Sequence, residues 1–291
     1  MNPLRIRPVL LSICILLLTA CQPSPPPAAA PGGSAITAPV SEPQTEVTVD
    51  PVLETLQRIE AGGRDVRIFT ATVAVERTEP LFDKRDVRRG DVLYEKQDGA
   101  TPRFAVHLEQ RQVGRRLENR PKRILFDGRW LTEIDEPKKQ VIRWELCGDE
   151  VDPTRLGGRF PLPVGQPAAD VLARYHVELI EDASRHEFLT PAFEDRTVIG
   201  LRIVPRDDVP SADDFKHVDL WYDTANWLPV GVAMLDEEGN TRRLRLADAR
   251  VNPELDEEQR RRLAGTVPTT ADWVVDERRC PEDVEPAGDG E

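Results

Sequence analysis

From Val66 to Val251 the chain repeats one pattern, short runs of alternating apolar and polar residues separated by turn formers, which is the period of a half-buried β-strand. The pattern predicts strands over Val66 to Arg77, Asp91 to Lys96, Arg103 to Gln110, Arg123 to Phe126, Trp130 to Ile134 and Gln140 to Leu146. A second set runs over Val177 to Ile180, Val198 to Val204, Lys216 to Tyr222, Leu228 to Asp236 and Arg242 to Val251. Asp127-Gly128, Asp135-Glu136-Pro137-Lys138 and Glu238-Gly239-Asn240 sit between neighbouring runs at hairpin spacing. Three helices interrupt the strands. Asp50-Pro51 reads as an N-cap with proline in the first turn; Leu53, Leu56 and Ile59 share a face, and Gly62-Gly63 end the helix. A second helix is expected over Pro167 to Tyr175. A charged third one is expected from a cap at Asn252-Pro253 through Leu263, acids first and Arg260 to Arg262 last. Strands that follow one another through tight turns make an antiparallel sheet, so the fold class is α+β: a strongly curved antiparallel sheet or unclosed β-barrel with helices covering one face.

The flanks follow other rules. Arg5 and Arg7 precede an apolar run, Val9 to Ala20, which is too short to span a bilayer, and Leu18-Thr19-Ala20-Cys21 closes it as a bacterial lipoprotein signal does. The expected division is a signal peptide at 1–20, a lipidated Cys21 with a Pro/Ala-rich tether to residue 49, one domain at 50–280, and an acidic tail at 281–291. Several acyl chains at Cys21 would hold the chain on a membrane without crossing it. Gln22, in the position after the cysteine, favours the outer membrane, facing the periplasm. The formal charge is −13; loss of Arg5 and Arg7 leaves about −15, and setting aside Glu42, Glu46 and the five tail acids leaves about −8 on the domain. So acidic a body argues against nucleic acid or anionic headgroups as partners. With Cys14 and Cys21 assigned to the signal and the anchor, Cys147 and Cys280 either form one disulfide that ties the C-terminal end to the sheet or remain two separate thiols.

Several segments together resemble the LolA/LolB-like lipoprotein carriers. Phe126-Asp127-Gly128-Arg129-Trp130 with Asp135 and Gln140-Val141 is similar to one hairpin of that family, and Gly90-Asp91-Val92-Leu93-Tyr94 to its early strand. Ile203-Val204-Pro205-Arg206, Phe215, Val218 to Asp223, Leu228-Pro229, Asp236, Gly239-Asn240 and Val251-Asn252 follow the family's C-terminal half in order and spacing, so that the likeness spans most of Asp50 to Val275. The resemblance implies an unclosed barrel whose concave side, under helical lids, takes up acyl chains of lipoproteins or other lipids. On that reading Ile68, Phe104, Val106, Leu108, Ile124, Leu125 and Leu131 line the hydrophobic face, unless they pack only against one another and the helices. The chain departs from the family after Lys96, where the carriers have an Arg-Pro pair that holds the lid; here that clasp is either absent or moved to Arg103. Arg111 to Lys122 is a basic insertion in one hairpin.

Catalytic patterns are missing. His107, His176, His186 and His217 have no metal-ligand spacing, and no HExxH, CxxC or glycine-rich phosphate loop occurs, so neither an enzyme nor a metal or cofactor site is expected. Ser184-Arg185-His186-Glu187 lacks a nucleophile elbow and reads as polar loop. Trp221, Tyr222 and Trp227 read as sheet core with one rim aromatic rather than as a sugar platform. Two expectations follow: a lipid-anchored carrier or acceptor of acylated molecules, or an RseB-like envelope sensor that binds a membrane protein.

Overall fold

Alternation becomes a single twelve-stranded sheet in the computed structural model, which describes residues 50–97, 101–147, 163–180, 187–208 and 215–280. The signal, Cys21, the tether, the tail and Ser184 to His186 lie outside the described residues. The strands are β1 (Ile68–Glu79), β2 (Lys84–Glu95), β3 (Arg103–Val113), β4 (Arg116–Phe126), β5 (Trp130–Asp135), β6 (Gln140–Glu145), β7 (Tyr175–Ile180), β8 (Val198–Pro205), β9 (Phe215–Asp223), β10 (Leu228–Asp236), β11 (Thr241–Val251) and β12 (Val274–Arg278). The helices are α1 (Pro51–Gly63), α2 (Ala168–Arg174), α3 (Thr190–Phe193) and α4 (Glu257–Ala264). The order across the sheet is β12-β6-β5-β4-β3-β2-β1-β11-β10-β9-β8-β7, so the two end strands never meet and the barrel is unclosed, as expected. Every pairing among the described residues is antiparallel except β12 with β6, which is parallel.

Each strand sends alternate residues to opposite faces. Phe104, Val106 and Leu108 join the large cluster with Leu56 and Ile59 of α1 and Ala168 and Val171 of α2; we call this face inner. Leu93, Ala105, Ile134 and Val141 pack on the other, outer face with Leu255 and with Leu263 of α4. Trp221 and Val230 meet α3 there through Leu189 and Ala192. Helices therefore cover the inner face as expected, and two more lie on the outer one. α1 forms where its caps predict: the Asp50 carboxylate accepts from the Val52 amide at 2.9 Å and Pro51 opens the first turn. α4 starts later than expected. Its cap is Asp256, in a reciprocal capping box with Gln259. Asn252 is committed elsewhere, because its side-chain carbonyl accepts from the amides of Arg67 and Ile68 at 2.8 and 3.0 Å, and its backbone turns left-handed at φ 51° to do so.

β12 joins the sheet without an alternation to announce it. Its Val-Val-Asp-Glu-Arg sequence pairs on one side only, and the structure joins Cys147, just beyond β6, to Cys280 in a disulfide with Cα atoms 6.1 Å apart.

Outer-face packing gives one pH-dependent contribution to stability. His107 of β3 stands opposite Asp91 of β2, and Arg262 of α4 pairs with that aspartate at 2.8 Å. Burial, and then the charges of Arg262 and Arg123, hold the imidazole at about 4 against the attractions of Asp91 and Glu258. The unfolded imidazole takes its proton near pH 6.5, earlier than the folded one, so this contribution is complete above about pH 6.5 and is lost as pH falls toward 4. Discounting for solvent screening at a partly exposed ring, its size is about 1–2 kcal/mol. Urea unfolding at pH 7 and pH 5 should show that drop in the parent chain and a smaller one in His107→Gln.

Candidate functional site

The inner face is the candidate site, and five of the seven residues expected to line it are there. Phe104, Val106, Leu108 and Leu131 belong to its buried cluster, and Ile124 packs against it half-buried. Ile68 and Leu125 do not. Both pack on the outer face with Leu255 and Leu263, because neighbours in a strand point to opposite sides and Leu125 cannot share a face with Ile124. The same parity adds Phe69, Tyr94, Phe126 and Tyr222 to the inner face, four positions that a count of alternate residues within each expected strand could have found. Phe104 and Phe126 lie against each other with ring centres 5.9 Å apart. Trp221 and Tyr222 are split between outer and inner faces by the same rule, so they form no stacking platform.

Over this face lie α1 and α2, which bury Leu56, Ile59, Ala168 and Val171 in its cluster and add polar contacts of their own. The Glu60 carboxylate of α1 accepts from the Ala168 amide at 3.0 Å and so caps the start of α2. Gly63 meets Gly165 backbone to backbone: a Cβ on Gly63 would come within 2.1 Å of the Gly165 Cα. Below them the Tyr222 hydroxyl donates to the Pro163 carbonyl at 3.1 Å, and complete burial pushes that phenol far above its ordinary pKa, so it keeps the proton it donates. Arg58 lies 5.5 Å over the Trp227 ring. Arg103 is not the clasp, since it pairs at 2.5 Å with Glu95, its cross-strand neighbour in the β2–β3 ladder.

Such a face offers exclusion of water. Its cluster is aliphatic and aromatic, and each large side chain fully buried there contributes about 1.5–3 kcal/mol. In this state that hydrocarbon is the protein's own: Phe104 and Val106 are both 0% exposed. Accepting a guest requires α1 and α2 to move outward.

Gly63→Ala tests how tightly the lids are seated. Helix propensity alone favours alanine by about 1 kcal/mol, so a net loss of about 1–3 kcal/mol in urea unfolding isolates the close approach to Gly165. Stronger binding of an anilinonaphthalene dye is expected in the same variant, as displaced lids uncover the inner face.

No protein-family model matches the chain, and no curated protein matches it. Solved structures do. An uncharacterized conserved protein from Thermus thermophilus is similar over 79% of this chain and 100% of its own, at 14% identity and a TM-score of 0.41. The MucA/MucB complex of Pseudomonas aeruginosa is similar over 77% of this chain and 67% of the matched one, at 19% identity and TM-score 0.41. A LolA superfamily protein from Nitrosomonas europaea is similar over 72% and 97%, at 16% identity and TM-score 0.32.

Proposed function

We propose that this chain is a lipid-anchored protein of the bacterial cell envelope that carries or accepts acyl chains of lipoproteins or other lipids on its inner face. One observation carries the reading: a continuous apolar face lies under two helices, α1 and α2, whose own apolar residues complete its cluster. Movement of α1 and α2 admits the chain; their return shields it from water, at about 25 cal/mol per Å² of apolar surface removed. Phe104, Val106, Leu108, Ile124 and Leu131 line the path, and no residue has a catalytic role. Cys21 bears the acyl anchor, and residues 22–49 tether the domain to the outer membrane on its periplasmic side. The segments resembling the lipoprotein carriers support this reading from the sequence.

A second reading is favoured by the complete burial of Phe104 and Val106. In it the inner face stays closed, and the domain is an envelope sensor that binds a membrane protein. Native mass spectrometry of Gln22–Glu291, secreted to the periplasm without its anchor, separates the two. A co-purifying lipid of defined mass is the expected result; no lipid, together with no binding of fluorescent fatty acids, sinks the carrier reading in favour of the sensor.

A further inference from the structure

Along β1 to β4 the inner face changes character. Val75 of β1 still packs on the apolar cluster, but the residue opposite it on β2 is Arg88, and the residue opposite Arg88 on β3 is Arg111. Residues that face each other across a ladder share a side of the sheet, so both guanidiniums stand on the inner face. Phe104, Val106 and Leu108 lead toward them along β3, with one irregularity of the ladder between Leu108 and Gln110. The face that buries hydrocarbon therefore ends in charge.

Among the described residues Arg88 is a cation left there without a carboxylate of its own. Arg111 directs Nε and Nη2 to one Asp86 oxygen at 3.0 and 2.8 Å, Lys122 pairs with Glu133 at 2.5 Å, and Asp135 is taken by Lys138 at 3.1 Å. The hydrogen bond that Arg88 makes runs from Nη1 to the Arg120 carbonyl at 3.3 Å. Its Nε and Nη2 form the edge of the fork that grips a carboxylate or phosphate with two parallel bonds; they meet no acceptor among the described residues and are not sealed from water. Yet the side chain is half-buried. Burial, with the charges of Arg111 and Arg120, holds it below its ordinary pKa against the attraction of Asp86 and Asp135. A half-buried cation opposite a second one carries a cost that an anion between them would remove.

We propose that Arg88 is the head-group site of the inner face: its Nε–Nη2 edge takes the carboxylate or phosphate of an amphiphile whose acyl chain lies along Leu108, Val106 and Phe104. This rests on the acyl-binding reading above and narrows it. The acyl-glyceryl group of a lipoprotein carries no anion, so the ligand class becomes an anionic lipid, a fatty acid or a phosphate-bearing one. The acidic average of the domain speaks against adhesion to a charged surface. One head group gripped by one guanidinium inside the fold is decided locally, where partial burial strengthens the pair.

The test is equilibrium dialysis of Gln22–Glu291, which keeps every described residue and lacks the acyl anchor, against lauric acid, dodecyl phosphate and dodecanol, three probes with one chain and different heads. Both anions are expected to bind about tenfold or more tighter than the alcohol, a margin that charge-assisted bonds supply. Arg88→Met, which keeps an unbranched stem, should bring the anions down to the alcohol's level and leave the alcohol's own binding unchanged. Arg88→Lys, with the charge but no fork, should fall between. Urea midpoints near the parent's keep the comparison on binding. The stronger of the two anions names the source, a fatty acid or a phosphate-bearing lipid, and either supports the site. Equal binding of all three probes, or a preference for the anions that survives Arg88→Met, overturns the site and leaves the acyl-binding reading standing. No binding of any probe overturns both.

Discussion

Replacing Arg85 and Arg243 together by methionine is expected to cost about 3–5 kcal/mol of folding free energy, the penalty for leaving a buried carboxylate uncompensated. The carboxylate is Glu76 of β1, 1% exposed. Its neighbours Val73 and Val75 point inward, so Glu76 lies on the outer face, where it accepts from Arg85 of β2 and from Arg243 of β11 at 2.6 Å. The single change at Arg85, whose side chain is mostly exposed, should cost under about 1 kcal/mol, because Arg243 remains and the exposed partner is screened. Adding Glu76→Leu to the double variant should return most of the loss, since an apolar replacement of a buried ion group is often neutral or better. Urea unfolding of the four chains decides the matter. A double variant within about 1 kcal/mol of the parent would mean that water reaches Glu76 after all.

Serine at both Cys147 and Cys280 should lower stability by about 2–4 kcal/mol, since the bridge closes a loop spanning 133 residues and so removes much freedom from the unfolded chain. The loss should also have a place. β12 has a ladder partner on one side only, β6, and its valines, Val274 and Val275, are largely exposed, so the bridge, that parallel ladder, the Arg143–Glu277 ion pair and Arg278 over the Trp144 ring hold it with no buried core of its own. Hydrogen exchange is expected to accelerate first at the amides of β12, while those of β1 and β2 in the middle of the sheet change only with global unfolding. Uniform acceleration across all strands would instead show that β12 and the sheet open as one unit.

Much of this fold is legible because the evidence for it is local. Strands half-buried on one face must alternate, and β1, β3 and β11 do, whereas β9 and β10, buried on both faces, read as apolar runs between turns; turns that need left-handed or tightly bonded residues draw them, as Asp127 does by accepting from the amides of Arg129 and Trp130. Where burial does not dictate the pattern, strands pass unseen. The first half of β2, Lys84 to Arg89, is almost all charged and carries no strand signal, because Lys84, Arg85 and Asp86 find ion partners rather than a core. β12 is as opaque, being held by an edge ladder and a distant cysteine. The apparent cap at Asn252 misleads because that side chain bonds a segment some 185 residues away.

Patterns a few residues long are enough to specify the antiparallel, hairpin-linked sheet, the position of α1, and the apolar character of the strands that line the inner face. What fastens α1 to α2, and which cations surround the buried Glu76, are settled by the folded arrangement alone. Strand register and helix placement bring together groups far apart in the chain, such as Glu60 with Ala168 and Glu76 with Arg243. No local pattern records those encounters, because each depends on every strand lying between the partners.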